Sequence, residues 1–279
     1  MTKHQGMKII PVLLCMLLAV ACAGKKEMKF TGSTPAGSSV KIFLGIPPTD
    51  SIDFIRWNLA LTENSYMLHC NYGIGKPNTN GFINGGITID LSGTVKKVNN
   101  NYLLQNGKQQ LKLAGLNTNL LHLLNDDNSL MKGNGGWSYT LNNLAPTITD
   151  DISIPAKQIF IKDSTAFEGR TPCGVPGVIT PGTLCYKLKW LVFLYAGTKT
   201  EAGTFKLYGT SHRKQGGLRG DWKIITAANG RIIYQLKNEE EKITLNLLIL
   251  DEGVLIFTDS NGNLLVGDLD FSYTLNKRF

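Results

Sequence analysis

The sequence lacks the short motifs that mark the most common catalytic and nucleotide-binding sites. It contains no Gly-x-Ser-x-Gly turn, no His-Glu-x-x-His pattern and no phosphate-binding loop. A nucleophile needs a base within hydrogen-bond reach and a third group that orients the base. The acidic pairs Asp126-Asp127 and Asp150-Asp151 lie instead in segments typical of turns. We therefore expect a protein that is not an enzyme and that uses no cofactor.

Concentrated charge is scarce as well. Charged residues make up 18% of the 279 residues, and the formal net charge of +8 includes two lysines near the N-terminus, Lys3 and Lys8. The basic residues between Lys187 and Lys242 are mixed with acids such as Asp221. Nucleic-acid binding usually requires a basic stripe with interleaved aromatic side chains. The sequence therefore predicts no nucleic-acid partner and an ordinary solvated surface, with attraction to an anionic membrane surface as the alternative.

The N-terminus has the parts of a secretory signal peptide. Lys8 precedes the apolar stretch 9–18, and small residues at 19–21 lead directly to Cys22. The apolar stretch is shorter than the roughly 20 residues that a transmembrane helix needs. Residues 18–22, Leu-Ala-Val-Ala-Cys, resemble the lipobox of bacterial lipoproteins, in which the thiol is diacylated and the leader is cut just before it. We predict a signal peptide at 1–21 and lipidation of Cys22; the alternative is an ordinary secreted protein.

Lipidation would also set the location of the protein. Several acyl chains make membrane attachment stable, whereas a single chain holds only marginally. Ala23 follows the cysteine in place of the aspartate that retains some lipoproteins at the inner membrane. We therefore predict a lipidated tether at 22–29 and a position on the outer membrane, on its periplasmic face or at the cell surface.

The five cysteines divide into unequal roles. Cys15 lies in the leader and Cys22 is the predicted lipid acceptor, so the folded part contains Cys70, Cys173 and Cys185. Cys173 and Cys185 bracket a loop rich in glycine and proline that is short enough to close, and a compartment outside the cytoplasm permits disulfides. The pair is a candidate disulfide; the alternative is that both thiols are buried and unpaired.

An internal repeat organises the rest of the chain. The segment Phe-Thr-Gly-Ser-Thr-Pro at 30–35 recurs as Phe-Glu-Gly-Arg-Thr-Pro at 167–172, and each is followed by a small residue and glycine. The string Ser-Tyr-Thr-Leu-Asn occurs at 138–142 and again at 272–276. The repeat predicts two copies of one domain, at 30–142 and 167–279, joined by a linker at 143–166.

Each copy is typical of an all-β domain. Glycine is abundant, with 30 residues, and the alternation at 190–195 and the hairpin signal at 243–258 indicate short strands joined by tight turns. Such strands form an antiparallel meander, and closing the meander into a barrel removes its exposed edges. The fold prediction is two tandem small antiparallel β-barrels that follow a lipoprotein signal peptide.

The opening of the second copy, Phe-Glu-Gly-Arg-Thr-Pro-Cys-Gly-Val-Pro-Gly-Val at 167–178, resembles the NlpE family of envelope lipoproteins. The Gly-x-Trp step at 220–222 and the closing hairpin at 255–265 follow the same pattern, which covers most of 167–279 and is fainter in the first copy. The resemblance implies lipocalin-like barrels in a lipid-anchored protein of copper resistance, adhesion sensing or envelope-stress signalling. The paired cysteines of the family are incomplete, because only Cys173 matches, so a redox or thiolate-metal site is not implied.

Two kinds of binding site are considered for these residues, a copper site and a cavity for an apolar ligand. Met67, His69 and Cys70 are types of ligand that suit copper, but on a strand Met67 and His69 point to one face and Cys70 to the other, so we predict no metal site. Apolar ligands bind in the mouths of small barrels, and four tryptophans are candidates for lining such a cavity or for packing inside it. These are Trp57, Trp137, Trp190 and Trp222.

The sequence thus favours a lipid-anchored, non-enzymatic envelope protein of NlpE type, with an envelope protein as a candidate partner. The first alternative is a lipocalin-like carrier of a small hydrophobic ligand, which predicts an open apolar lumen. The second is a surface adhesin or accessory lipoprotein, which requires only exposed loops. Filled barrels would favour the first hypothesis over the carrier.

Overall fold

The structure is a computed structural model that describes residues 27–147, 163–179, 184–197, 202–209, 216–228 and 230–278. The predicted signal peptide, Cys22 and residues 148–162 of the predicted linker lie outside the described residues. In the part of the chain that is described, no helix is both long enough and apolar enough to cross a membrane.

Barrel 1 is an up-and-down meander in which each strand pairs with the next and the last pairs with the first. Its strands are β1 (Met28–Thr34), β2 (Phe54–Leu61), β3 (Ser65–Gly73), β4 (Ile87–Val98), β5 (Asn101–Asn106), β6 (Gln109–Asn117), β7 (Leu120–Leu124) and β8 (Thr140–Asn143). All the pairings are antiparallel, so full closure leaves no edge strand.

Barrel 2 repeats this topology. Its strands are β9 (Ser164–Thr171), β10 (Leu188–Tyr195), β11 (Gly203–Gly209), β12 (Leu218–Thr226), β13 (Ile232–Asn238), β14 (Ile243–Asp251), β15 (Val254–Thr258) and β16 (Thr274–Lys277). The two closed eight-stranded barrels confirm the predicted pair of tandem antiparallel barrels. The register even shifts at equivalent places, between Gly115 and Asn117 in barrel 1 and between Ile249 and Asp251 in barrel 2.

The interior of each barrel is filled by the inward side chains of its alternating strands. Strand β3 reads exposed and buried in turn, so that Tyr66, Leu68 and Cys70 point inward while Met67 and His69 point outward. Each barrel has its own continuous apolar core. The described interiors are therefore packed in the manner of an ordinary protein core.

Among its described residues, barrel 1 also has the helix α1 (Ser38–Leu44), which follows β1, and a short 3-10 helix (Ile83–Gly85) before β4. Val40, Phe43 and Leu44 on α1 are buried and belong to the same core as Trp57. Helix α1 ends at Gly45, whose φ of 71° is the left-handed conformation that glycine adopts most readily. The apolar face of α1 thus contributes to filling barrel 1.

The repeated Thr-Pro-x-Gly segments have the same packing role in both barrels. Trp57 donates its indole N–H to Thr34 Oγ1 over 2.8 Å, and Trp190 donates to Thr171 Oγ1 over the same distance. Each threonine hydroxyl donates in turn to the carbonyl of the proline that follows it. The indole N–H of the interior tryptophan and the hydroxyl of its threonine partner are therefore satisfied in the same way in both copies.

The glycine of the same segment is explained by a close approach. A Cβ at Gly37 would lie 2.5 Å from Oη of the buried Tyr139, and a Cβ at Gly174 would lie 2.5 Å from Oη of the buried Tyr273. Both tyrosines come from the repeated Ser-Tyr-Thr-Leu-Asn string, so the opening and closing motifs of each copy meet in space.

Candidate functional site

The outer face of barrel 1 carries an apolar groove of about 460 Å³. It lies over strands β1 to β4, where Ala60 pairs with Met67 and Met67 pairs with Ser92. Met67 is 61% exposed and lines the middle of this surface. We define the outer groove by its outward-facing side chains, namely Lys29, Asn58, Ala60, Met67, His69, Asp90, Ser92 and Leu144.

A polar pair forms one side of the outer groove. His69 Nδ1 lies 2.7 Å from Asp90 Oδ1, and the two residues are direct neighbours across β3 and β4. Both side chains are well exposed, at 52% and 78%. Ser92 shares the groove but forms no hydrogen bond with His69 among the described contacts. The pair therefore offers a ligand a hydrogen-bonding group beside an apolar surface.

Barrel 2 has a cavity of about 470 Å³ on strands β10 to β12, which shares with the outer groove only the positions of Met67 and Ser92, occupied there by Lys206 and Arg219. Phe193 pairs with Lys206, and Lys206 pairs with Arg219, where barrel 1 has Ala60, Met67 and Ser92. Two cations and a large ring thus replace three small or neutral side chains. The same backbone surface is apolar in barrel 1 and basic in barrel 2.

The tryptophans that the sequence offers as ligand-lining residues lie elsewhere. Trp57, Trp190 and Trp222 are buried in the barrel interiors, and Trp222 donates its indole N–H to the carbonyl of Tyr195. Trp137 lies at the junction of the barrels, stacked on Phe54 with 4.5 Å between ring centroids. None of the four lines the outer groove.

The cysteines of the folded part occupy two distinct environments. Cys173 and Cys185 form a disulfide at one end of barrel 2. Cys70 is free and fully buried in barrel 1, where burial raises the pKa of its thiol. In the described part of the chain, no three histidine, cysteine or acidic side chains come together as a metal site would require.

The second surface of interest is the contact between the barrels, which sequence analysis did not identify. The Ser-Tyr-Thr-Leu-Asn string of one barrel faces its own copy in the other. Ser138 Oγ lies 2.6 Å from Ser272 Oγ, and Thr140 Oγ1 lies 3.0 Å from Thr274 Oγ1. Equivalent residues pair with each other, so the interface has an approximate two-fold axis, as in a symmetric homodimer.

Two asparagines extend the symmetry. Asn142 Oδ1 accepts the backbone N–H of Gly267 over 2.9 Å, and Asn276 Oδ1 accepts the backbone N–H of Gly133 over 2.7 Å. An apolar cluster from both barrels packs beside this polar ladder. Its buried members are Ala114, Leu116, Leu120, Leu124, Leu130, Ala227, Ile233, Leu248, Leu250, Val254, Ile256 and Leu264. The interface therefore combines a ladder of hydrogen bonds with a continuous apolar contact.

Charged contacts break the symmetry of the interface. Arg56 of barrel 1 forms an ion pair with Asp270 of barrel 2 at 2.7 Å, and Asn80 donates to the same carboxylate. On the other side, the guanidinium of Arg170 lies 5.1 Å from the ring centroid of Trp137. Each contact reaches across the junction, so the flanks hold the barrels by different chemistry.

A buried histidine adjoins the polar ladder. His122 Nδ1 lies 2.8 Å from Thr140 Oγ1, and His122 Nε2 lies 2.9 Å from the carbonyl of Met131. The neutral ring satisfies both contacts by donating from Nε2 and accepting at Nδ1. Complete burial lowers the pKa of His122 to about 4, against the smaller opposing effects of Met131 and Asp251. His122 is thus a neutral structural histidine at neutral pH.

Comparison of the chain with protein-family models, with curated proteins and with solved structures finds no match. The outer groove and the symmetric interface are therefore interpreted from their own geometry. The sequence signal for the groove is Met67 at an outward position of an alternating strand, but its contact with Ala60 depends on the register of β2 and β3.

Proposed function

We propose that this chain is a lipid-anchored, non-enzymatic protein of the bacterial envelope, of NlpE type, that acts in envelope homeostasis, stress or copper response at the outer membrane. The lipobox-like residues 18–22 support the anchor. The observation that carries the proposal is the position of β1, which begins at Met28 shortly after Cys22. Acyl chains on Cys22 would therefore hold barrel 1 next to the bilayer surface.

The chemistry of the described residues supports a binding role. A hydrolytic triad requires a nucleophile hydrogen-bonded to the histidine that a carboxylate orients. His69 and Asp90 form the histidine–carboxylate contact of such a triad, and they lie on an exposed strand surface. The only other described histidine, His122, is occupied by Thr140 and Met131 inside the interface. These contacts are those of structural or ligand-binding side chains.

A carrier of a hydrophobic ligand is the second candidate, and one observation favours it. The outer groove is apolar and its volume lies within the range of small-molecule sites, roughly 300–1,000 Å³. The lipocalin mode of carriage places the ligand in the barrel lumen, but Trp57 and Trp190 fill the two interiors. A carrier function would therefore depend on the outer groove.

The anchor is tested by replacing Cys22 with serine in protein produced in a bacterium that processes lipoproteins. We expect wild-type protein to incorporate labelled palmitate and to sediment with outer membranes, and Cys22→Ser protein to do neither. Cys15→Ser is the matched control, because it changes a thiol in the same leader and should leave labelling intact. Equal labelling of the Cys22→Ser protein would contradict the proposal.

The NlpE-type role is tested separately in cells that lack the protein. We expect growth of the deletion strain to be impaired by copper or by envelope stress, and expression of the wild-type chain to restore it. Expression of Cys22→Ser protein should not restore growth, since its barrels are no longer tethered. Unchanged growth of the deletion strain under both stresses would contradict this part of the proposal.

A further inference from the structure

The outer groove of barrel 1 crosses four neighbouring strands, β1 to β4. Lys29 on β1 pairs with Ala60, Ala60 with Met67, and Met67 with Ser92 on β4. Neighbouring strands lie about 4.8 Å apart, so the row from β1 to β4 is about 14 Å long. A groove of this shape suits an extended apolar chain better than a compact ring system.

The first described residues of the chain lie beside the outer groove. Lys29 forms part of the groove and pairs with Glu27, the first described residue, at 3.1 Å. Leu144, also part of the groove, donates its backbone N–H to the carbonyl of Lys29. Five further residues lead back to Cys22 and span at most about 17 Å when fully extended. A group attached to Cys22 can therefore reach the row of Ala60 and Met67.

We propose that the outer groove of barrel 1 binds one of the acyl chains carried by Cys22, so that the protein shelters part of its own anchor. This inference rests on the proposed function, because it requires lipidation of Cys22. A lipid tail gains little by leaving a bilayer for an equally apolar protein surface. Tethering compensates for this, because it converts binding into an intramolecular step with a high effective concentration.

The side chains of barrel 2 at the equivalent positions explain why the groove is specific to barrel 1. At the positions of Ala60 and Met67, barrel 2 has Phe193 and Lys206. The phenyl ring would occupy the space of an acyl chain, and the ammonium group would have to be desolvated against it. The apolar version of the surface therefore lies on the barrel that begins next to the predicted lipid.

The test uses the full-length protein made in bacteria that are fed a palmitate analogue bearing a photoreactive diazirine. The purified protein is irradiated in detergent, digested and analysed by mass spectrometry. We expect a cross-link between the Cys22 peptide and the peptide that contains Ala60 or Met67. The variants Ala60→Phe and Met67→Lys introduce the residues that barrel 2 carries at these positions. Each should lower the cross-link yield about tenfold, because the acyl chain would lose contact with the groove over about two methylene groups. Lys206→Met in barrel 2 is the matched control and should leave the yield unchanged.

Three results would overturn the inference. If Cys22 carries the labelled chain but no cross-link to the groove forms, the groove does not hold the anchor although the lipoprotein assignment stands. If a labelled lipid is attached to the Met67 peptide in Cys22→Ser protein as strongly as in wild type, membrane lipid occupies the groove in place of the anchor. If Cys22 carries no acyl chain, the inference and the proposed function fail together.

Discussion

The two barrels agree on the inside and differ on the outside. Trp57 and Trp190 fill the two interiors and make the same hydrogen bond to a threonine. On the outer face, Met67 of barrel 1 stands where barrel 2 has Lys206. The inward side chains are constrained by packing, whereas the outward ones are free to specialise. Any binding activity of this duplicated protein should therefore be sought on the surfaces where the two barrels diverge.

The barrels also differ in the element that follows the first strand and in one residue at the interface. Barrel 1 buries one face of helix α1, while barrel 2 has the disulfide between Cys173 and Cys185 after its first strand. At the interface, His122 of barrel 1 pairs across the strands with Thr140, and Ile256 of barrel 2 pairs in the same way with Thr274. These positions allow the comparison to be tested by matched substitutions.

The largest effect should come from truncating the interior tryptophans. Trp57→Ala and Trp190→Ala each leave a large cavity in a packed core, and we expect each to lower the free energy of unfolding by about 3–5 kcal/mol. Hydrogen exchange resolved by peptide should place each loss in the barrel that carries the substitution. Similar costs would support equivalent interiors. A cost near zero for either variant would show that the interior is not packed as described.

Loss of the disulfide should affect barrel 2 alone. The double variant Cys173→Ala/Cys185→Ala should lower stability by about 2–4 kcal/mol, because a closed loop restricts the unfolded chain. Exchange protection should fall in barrel 2 and be unchanged in barrel 1. Adding a reductant to the wild type should reproduce the effect, and adding it to the double variant should not. Equal loss of protection in both barrels would show that the disulfide does not act on barrel 2 alone.

Acid should weaken the protein through His122. The folded-state pKa of about 4 lies below the unfolded value of 6.5, so the unfolded chain takes up a proton first as the pH falls. The free energy of unfolding should therefore decrease as the pH falls from 6.5 to 4, by up to about 3 kcal/mol. Below pH 4 this loss of stability is complete. Urea unfolding at several pH values measures it. His122→Ile copies the side chain of Ile256 and should remove this part of the slope; an unchanged slope would exclude His122 as the cause.

The smallest effect should come from the serines at the two-fold axis. Ser138→Ala or Ser272→Ala alone leaves a buried hydroxyl without its partner, which should cost about 1–3 kcal/mol. The double variant removes both hydroxyls, and its cost should be clearly less than the sum of the single costs. Ser260→Ala, in an exposed turn, is the control. Strict additivity would mean that the two hydroxyls do not interact.

Much of the fold could be predicted from the sequence because the repeat and the strand alternation are local signals. The identical strings at 138–142 and 272–276 mark the closing strands of the two barrels, and the apolar run at 190–195 lies in β10. The alternation at Met67, His69 and Cys70 correctly separates the outward pair from the buried thiol. These features need no knowledge of distant contacts.

The interface could not be predicted because it depends on contacts between distant parts of the chain. Ser138, Thr140 and Asn142 form a polar face that is usually solvated on a barrel surface. Only the identical polar face in the other copy, itself part of the repeat, hints that the two faces meet. The outer groove was missed for a related reason, since pairing Ala60 with Met67 requires the register of β2 and β3.

The lipid anchor is tested most directly by the intact mass of the mature protein purified from membranes of a bacterium that processes lipoproteins. We predict a chain that begins at Cys22 and carries added mass equal to a diacylglyceryl group, with or without a further acyl group on the new amine. A chain that begins at another residue, or that begins at Cys22 with no added mass, would contradict this prediction.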